Sequence, residues 1–236
     1  MKKIYFWTED KEGKSGYTFW QHFLNELFPT VILESKGNNA RLLKAVKSIT
    51  NNEDLYIIAM DNSYDNPDVI KLMKEMKRIV REQSNIVLLD IVCFEFLLLG
   101  FKHLLDWVYA EADEYKISRA EDIAVREAFV SAVKGNMDYN QYPIVKTYLQ
   151  GSVGYNVEKV AAKILHGLTR NTGFEVSKSM LGECWWKDCC QWSAKDGTDK
   201  CGLDFTRLTC HEKMLVILNG TNLEAQVETF GMEVQQ

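Results

Sequence analysis

The sequence predicts an α/β fold, a mainly parallel sheet with helices on its faces, and three observations carry that expectation. Short apolar strands alternate with amphipathic helices from residue 4 to residue 89. The run Leu55–Met60 is almost wholly apolar, as a central strand covered on both faces by crossover helices must be. Acidic residues follow two of these strands, Glu9 after the first and Asp61 after the third. Such an alternation implies right-handed crossovers between parallel strands.

Taken in order, Ile4–Trp7 reads as the first strand. Tyr17–Phe28 follows as a helix, with Trp20, Phe23, Leu24, Leu27 and Phe28 at helical spacing. Val31–Glu34 is the second strand, and Lys36-Gly37-Asn38-Asn39 turns into a helix whose inner face is Leu42, Leu43, Val46 and Ile49. After the strand Leu55–Met60, Asn66 reads as an N-cap with Pro67 at the first helical position. That helix carries Val69, Ile70, Met73, Met76, Ile79 and Val80 on one side, and Asn85–Leu89 is the fourth strand. Beyond Asp90 the strand signals fade. Cys93–Ala110 reads as one mostly buried helix, Ser118-Arg119-Ala120-Glu121 as a capping box opening a helix to Lys134, and Asn156–Leu168 as an amphipathic helix. The expected organisation is an α/β domain over 1–105, then a helical region over 106–236 that ends in a Cys/Trp-rich C-terminal segment.

Composition narrows the classes. The chain has 236 residues, of which 46% are hydrophobic and 26% charged, as in an ordinary globular protein. Its net charge of −5 argues against a broad basic surface for nucleic acid. A local groove, or a site where a metal supplies the positive charge, is still compatible. The N-terminal Met-Lys-Lys-Ile-Tyr-Phe-Trp runs into acids by Glu9 and does not read as a signal peptide. The apolar run Ile86–Phe101 is interrupted by Asp90 and Glu95, so no membrane span is expected. Six cysteines without a secretory signal suggest reduced thiols or metal, and hence a cytoplasmic protein.

Carboxylates at the carboxyl ends of neighbouring parallel strands meet in one crevice, where ligands bind in open α/β sheets. Glu9, Asp61 and, one turn later, Asp65 would repel one another there unless a cation lay between them. Hard oxygen ligands of this kind suit Mg²⁺ or Mn²⁺. Each acid also has a plainer reading. Glu9 and Asp10 lie in a charged loop, Asp65 precedes the Asn66 cap, and Glu95 sits near a helix start where the dipole favours it. Glu95, however, is flanked by large apolar residues in Val92-Cys93-Phe94-Glu95-Phe96-Leu97-Leu98. A buried carboxylate there needs a partner.

A glutamate after the first strand and an Asp-x-Asp-like motif after a hydrophobic strand resemble the Toprim domain. That domain occurs in topoisomerases, primases, small ribonuclease-type nucleases and the OLD-family nucleases of phage defence. Glu34-Ser35-Lys36-Gly37-Asn38-Asn39 is similar to the glycine-containing turn of the OLD-type branch, and Glu95 to a third acid of small defence-linked relatives. The chain departs from the pattern at Asp61-Asn62-Ser63-Tyr64-Asp65, where Ser63 stands in the place of the family's second aspartate. Glu12-Gly13 is similar to the family's Glu-Gly pair displaced from Glu9.

The resemblance implies a Toprim-like parallel sheet and a Mg²⁺-dependent phosphodiester hydrolase, a nuclease acting on DNA or RNA, in phage defence and beside a separate ATPase subunit. It also implies the site. Glu9, Asp61 and Asp65 would hold Mg²⁺ or Mn²⁺, Glu95 would stand near a second ion, and Glu12, Lys14 and Lys36 would contact the proton or the phosphate. The alternative is a catalytically silent Toprim-like interaction subunit of a multi-protein system. A third reading takes Gly13-Lys14-Ser15 as a P-loop, but Thr8 stands where its first glycine belongs and Glu9, Asp10 and Glu12 would repel phosphate.

The C-terminal segment concentrates Cys184, Cys189, Cys190, Cys201, Cys210 and His211 around Trp185, Trp186 and Trp192. Cys184, Cys189, Cys201 and Cys210 could hold a structural Zn²⁺. No Cys-x-x-Cys pair is present, so reduced thiols packed against the tryptophans are the favoured reading.

Overall fold

The computed structural model describes residues 2–110, 114–151, 154–190, 201–203 and 206–235. Trp192 lies outside them. The sheet has four parallel strands: β1 (Ile4–Thr8), β2 (Val31–Ser35), β3 (Leu55–Ala59) and β4 (Ile86–Leu88). They lie in the order β2-β1-β3-β4. Thr8 pairs with Ser35 on one side and Ala59 on the other, so β1, β2 and β3 end level with one another.

Three helices make the crossovers: α1 (Ser15–Leu27), α2 (Asn39–Lys47) and α3 (Pro67–Glu82). Their caps follow from the sequence. The Asn38 side chain accepts the Arg41 N–H, after a turn in which Gly37 takes a φ of 82°, a conformation that favours glycine. The Asn66 side chain accepts the Asp68 N–H, and Pro67 occupies the first helical position. α2 and α3 bury Leu42, Val46, Met73 and Met76 against Trp7, Tyr56, Ile58 and Met60 on one face of the sheet. The other face, with Phe6, Ile57 and Ala59, takes Phe19, Trp20 and Phe23 of α1.

This second core does not stop at the end of the sheet. It continues through α4 (Phe94–Leu99), α5 (Leu104–Val108), α7 (Ala120–Lys134) and α9 (Val157–Thr169), with α6 (Glu114–Ser118) and α8 (Pro143–Tyr148) at its margin. Phe94, Phe129, Ile164, Trp185 and Met214 belong to the same apolar cluster as Phe6 and Phe19, so one core crosses residue 105. A short hairpin of β5 (Val176–Ser177) and β6 (Met180–Leu181), and the helices Cys210–Asn219 and Leu223–Thr229, complete it. Among the described residues no helix is long and apolar enough to cross a membrane.

Two expectations are corrected. Cys93–Ala110 is not one helix: α4 stops at Gly100, and Arg126 donates to the carbonyls of Leu99 and Phe101 around the break at 2.9 Å each. The Ser118–Glu121 capping box does not form. Ser118 ends α6 and Arg119 takes the N-cap position of α7, its buried guanidinium donating to the carbonyls of Leu168 and Arg170. A capping box does form at Thr209 and Glu212.

A core shared across residue 105 predicts one unfolding transition. Ile57→Ala in β3 and Ile164→Ala in α9, both buried in the same cluster, should each cost about 2–5 kcal/mol. Circular dichroism melts should show both variants lowering the midpoint of the same transition.

Candidate functional site

The connections from β1 run to β2 on one side of the sheet, while β3 and β4 lie on the other. The ends of β1 and β3 therefore form the topological switch point, where α/β sheets leave a crevice. Glu9 and Asp10 leave β1 there and Asp61 leaves β3. Glu9 Oε1 accepts the backbone N–H of Asp61 at 2.8 Å, tying the two strand ends together. Asp10 Oδ2 accepts the Thr8 hydroxyl at 2.9 Å, and its own N–H donates to Thr8 Oγ1 at 3.1 Å. The Ser35 hydroxyl donates to the Asp10 carbonyl at 2.6 Å, which brings the end of β2 into the same assembly.

Two helices bring further acids. Glu95 lies in the first turn of α4, whose N-cap Cys93 accepts the Phe96 N–H through sulfur at 3.3 Å. Glu158 lies in the first turn of α9, capped by Asn156, and accepts a 3.4 Å hydrogen bond from the buried Ser63 hydroxyl. Sequence reasoning missed Glu158. Its only local signal is the Asn156 cap, and what brings it to Ser63 is the packing of α4 on α9.

All five carboxylates are half-buried, and four are pushed up by burial first and by one another second. Burial first, then the charges of Asp10 and Glu158, push the Glu9 carboxyl up to about 7 against the Asp61 N–H that opposes them. Glu95 is lifted to about 7 by burial and then by Glu158 and Asp10. Asp61 is raised by burial and by Glu9, Glu95, Glu158 and Asp10 together, and Asp10 by burial and Glu158. The leading influences that hold these acids ionised are hydrogen-bond donors, with no lysine or arginine among them.

No family model matches this chain, and no curated protein or solved structure does either. The site is read from its own chemistry. Among the described residues, no group of three or more His, Cys, Asp or Glu side chains is arranged so that it could hold a metal ion. The acids are gathered without being converged.

The other expected residues divide. Asp65, expected beside Asp61 on a metal, instead spans to the helical region. Its carboxylate accepts the Val157 N–H at 2.9 and 3.1 Å and the Tyr139 hydroxyl at 2.5 Å. Those bonds cap α9, because Val157 is its first residue and its N–H has no partner within the helix. Glu12 and Lys14 are exposed in the loop that follows Asp10. Lys36, expected to contact phosphate, is held by Glu34 at 2.5 Å and lies 3.8 Å from the centre of the Trp7 ring. The P-loop reading meets a direct obstacle at Gly16, where an added Cβ would collide with the Asp10 carboxylate. The α1 N-terminus, which would cradle phosphate in that reading, thus already faces an anion. In the C-terminal segment Cys184, Cys189 and Cys201 border one pocket, while Cys210 opens a helix and lies beside Glu26.

Asp65→Ala should therefore act on stability: losing a cap and leaving buried donors unpaired costs about 1–3 kcal/mol. Titration calorimetry should find its divalent-ion affinity unchanged, in contrast to Asp61→Asn.

Proposed function

We propose that the protein is a Mg²⁺- or Mn²⁺-dependent phosphodiester hydrolase acting on nucleic acid, with its site at the ends of β1 and β3. One observation carries this reading: five carboxylates meet at the switch point and no basic side chain is among the leading groups that offset them. Carboxyl groups so placed resist ionisation unless a cation joins them. A donor set made only of hard oxygens fits Mg²⁺ or Mn²⁺ better than a softer ion. Binding includes an adjustment of side chains, since the oxygens do not yet converge.

Glu9 and Asp61, joined through the Asp61 N–H, would hold the ion, and Glu158 would take the part first expected of Asp65. When bound, the ion supplies Lewis acidity toward a phosphate and lowers the pKa of a coordinated water. Glu95, poised near neutrality on α4, is suited to exchange a proton with that water. The exposed Lys11 and Lys14, in the loop beyond Asp10, offer ammonium groups to a phosphate backbone. The reading sets the protein in the cytoplasm, where its thiols stay reduced. A second reading, the silent interaction subunit, is supported by the absence, among the described residues, of a ready-made ligand geometry.

Calorimetry separates the two. Wild type should bind Mn²⁺, and Glu9→Gln and Asp61→Asn should each abolish the site. Mg²⁺-dependent cleavage of labelled DNA or RNA, lost in Asp61→Asn, would carry the hydrolase reading. No ion binding by wild type would transfer the protein to the interaction-subunit reading.

The pH dependence of the metal-free protein has a definite sign. Glu9 and Glu95 ionise near 4.5 when unfolded and near 7 when folded, so the folded state holds extra protons between those values. Stability is then greatest below that window and falls as pH rises through it. The melting midpoint should drop between about pH 5 and pH 8, by about 2–4 °C for each kcal/mol lost at this chain length. Mg²⁺ should restore it at the higher pH and leave it unchanged at the lower.

A further inference from the structure

The cysteines sort themselves differently from the sequence expectation. Cys184, Cys189, Cys190 and Cys201 border one small pocket, closed by Phe174, Leu203 and Lys213. Three backbone constraints bring them there. Cys184 lies in the single turn Glu183–Trp185 after the β5–β6 hairpin, its sulfur so close over Gly173 that a Cβ there would collide with it. The Cys189 N–H donates to the Leu208 carbonyl at 2.9 Å, which sets Cys189 and Cys190 beside the helix Cys210–Asn219. Gly202 donates to the Trp107 carbonyl at 3.0 Å and holds Cys201 against the end of α5. The last three sulfurs all lie near enough to Cys184 to oppose its ionisation.

A second observation comes from Lys213. It is only 1% exposed, yet among the described residues it has no carboxylate within ion-pairing distance. Its Nζ donates instead to the carbonyls of Cys184 at 2.9 Å and Lys187 at 2.6 Å. A buried ammonium without a counter-charge is costly, and here it stands on the wall of a pocket lined by four thiols.

We propose that Cys184, Cys189, Cys190 and Cys201 form a structural Zn²⁺ site, with Lys213 as the neighbouring positive charge. Four thiolates around one Zn²⁺ leave a net double negative charge, half of which a buried ammonium offsets. Each thiol that ligates releases its proton to solvent, so the site tightens as pH rises. The sulfurs border the pocket without ligand geometry, and a tetrahedral ion draws them inward. The need for such a tie is visible in the surrounding chain. Among the described residues between Arg170 and Thr209, regular structure amounts to two two-residue strands and one three-residue turn. Zinc-bound thiolates hold together segments with this little hydrogen-bonded structure.

The test uses the full chain, reduced and purified, with zinc measured by mass spectrometry and Co²⁺ as a spectroscopic replacement. Wild type should carry stoichiometric zinc, and its Co²⁺ form should show the charge-transfer and ligand-field bands of tetrahedral thiolate. Cys190→Ser is the decisive variant, because Cys190 is exposed and serine is close to it in size and polarity. It should keep its circular dichroism spectrum and lose the zinc, whereas Cys210→Ser should retain it. Wild type that takes up no zinc after reduction and reloading, or Cys190→Ser that binds as wild type does, would overturn the proposal. A disulfide among these four residues in protein purified under reducing conditions would overturn it as well.

Discussion

The organisation of this protein follows from one electrostatic constraint: several carboxylates share a crevice that does not let all of them ionise freely. The fold answers with backbone rather than with basic side chains. Asp61 donates its N–H to Glu9. Asp10 lies over the first turn of α1 at Gly16, and Glu95 and Glu158 occupy the first turns of α4 and α9. Helix N-termini carry partial positive charge that favours acids by about 0.3–1 kcal/mol each. That is too little to offset a crowd of this kind, and the upward shifts of Glu9, Asp61 and Glu95 are the residue.

Polar contacts beside the crevice also tie the sheet to the helical region. Asp65 leaves the switch-point loop and satisfies the first N–H of α9. Ser63, two residues earlier, meets Glu158 on the same helix. Both contacts sit above an apolar cluster that already joins Phe6 and Ile57 to Ile164. The position of Glu158 is thus set by the packing of α9 on α4 within that cluster.

What the sequence reveals and what it hides divide along range of interaction. The strands and α1–α3 were legible because each rests on local signals: an apolar run, a 3.6-residue stripe, Asn38 and Asn66 as caps. Glu9 and Asp61 were legible because they directly follow strands. The break at Gly100 was not, since Phe94–Leu99 is almost wholly buried and shows no stripe whose ending would mark the stop. The Ser118 box failed because Arg119 is drawn to carbonyls at the far end of α9. Glu158 and the grouping of Cys190 with Cys184 depend on contacts between distant segments, and no short window of sequence carries those.

Ser63 shows how the departure from the Toprim-like pattern fits the structure. It is fully buried, and its hydroxyl is directed to Glu158. An aspartate there would place a sixth carboxylate at a fully buried position, directly against another acid. A hydroxyl instead donates a hydrogen bond, which is what a crowded carboxylate lacks. The carboxylate that meets Ser63 comes instead from α9, almost a hundred residues away. The consequence is that residues 1–105 alone would lack both part of their core and one carboxylate of the crevice, so the fold and the crevice depend on the same long-range packing.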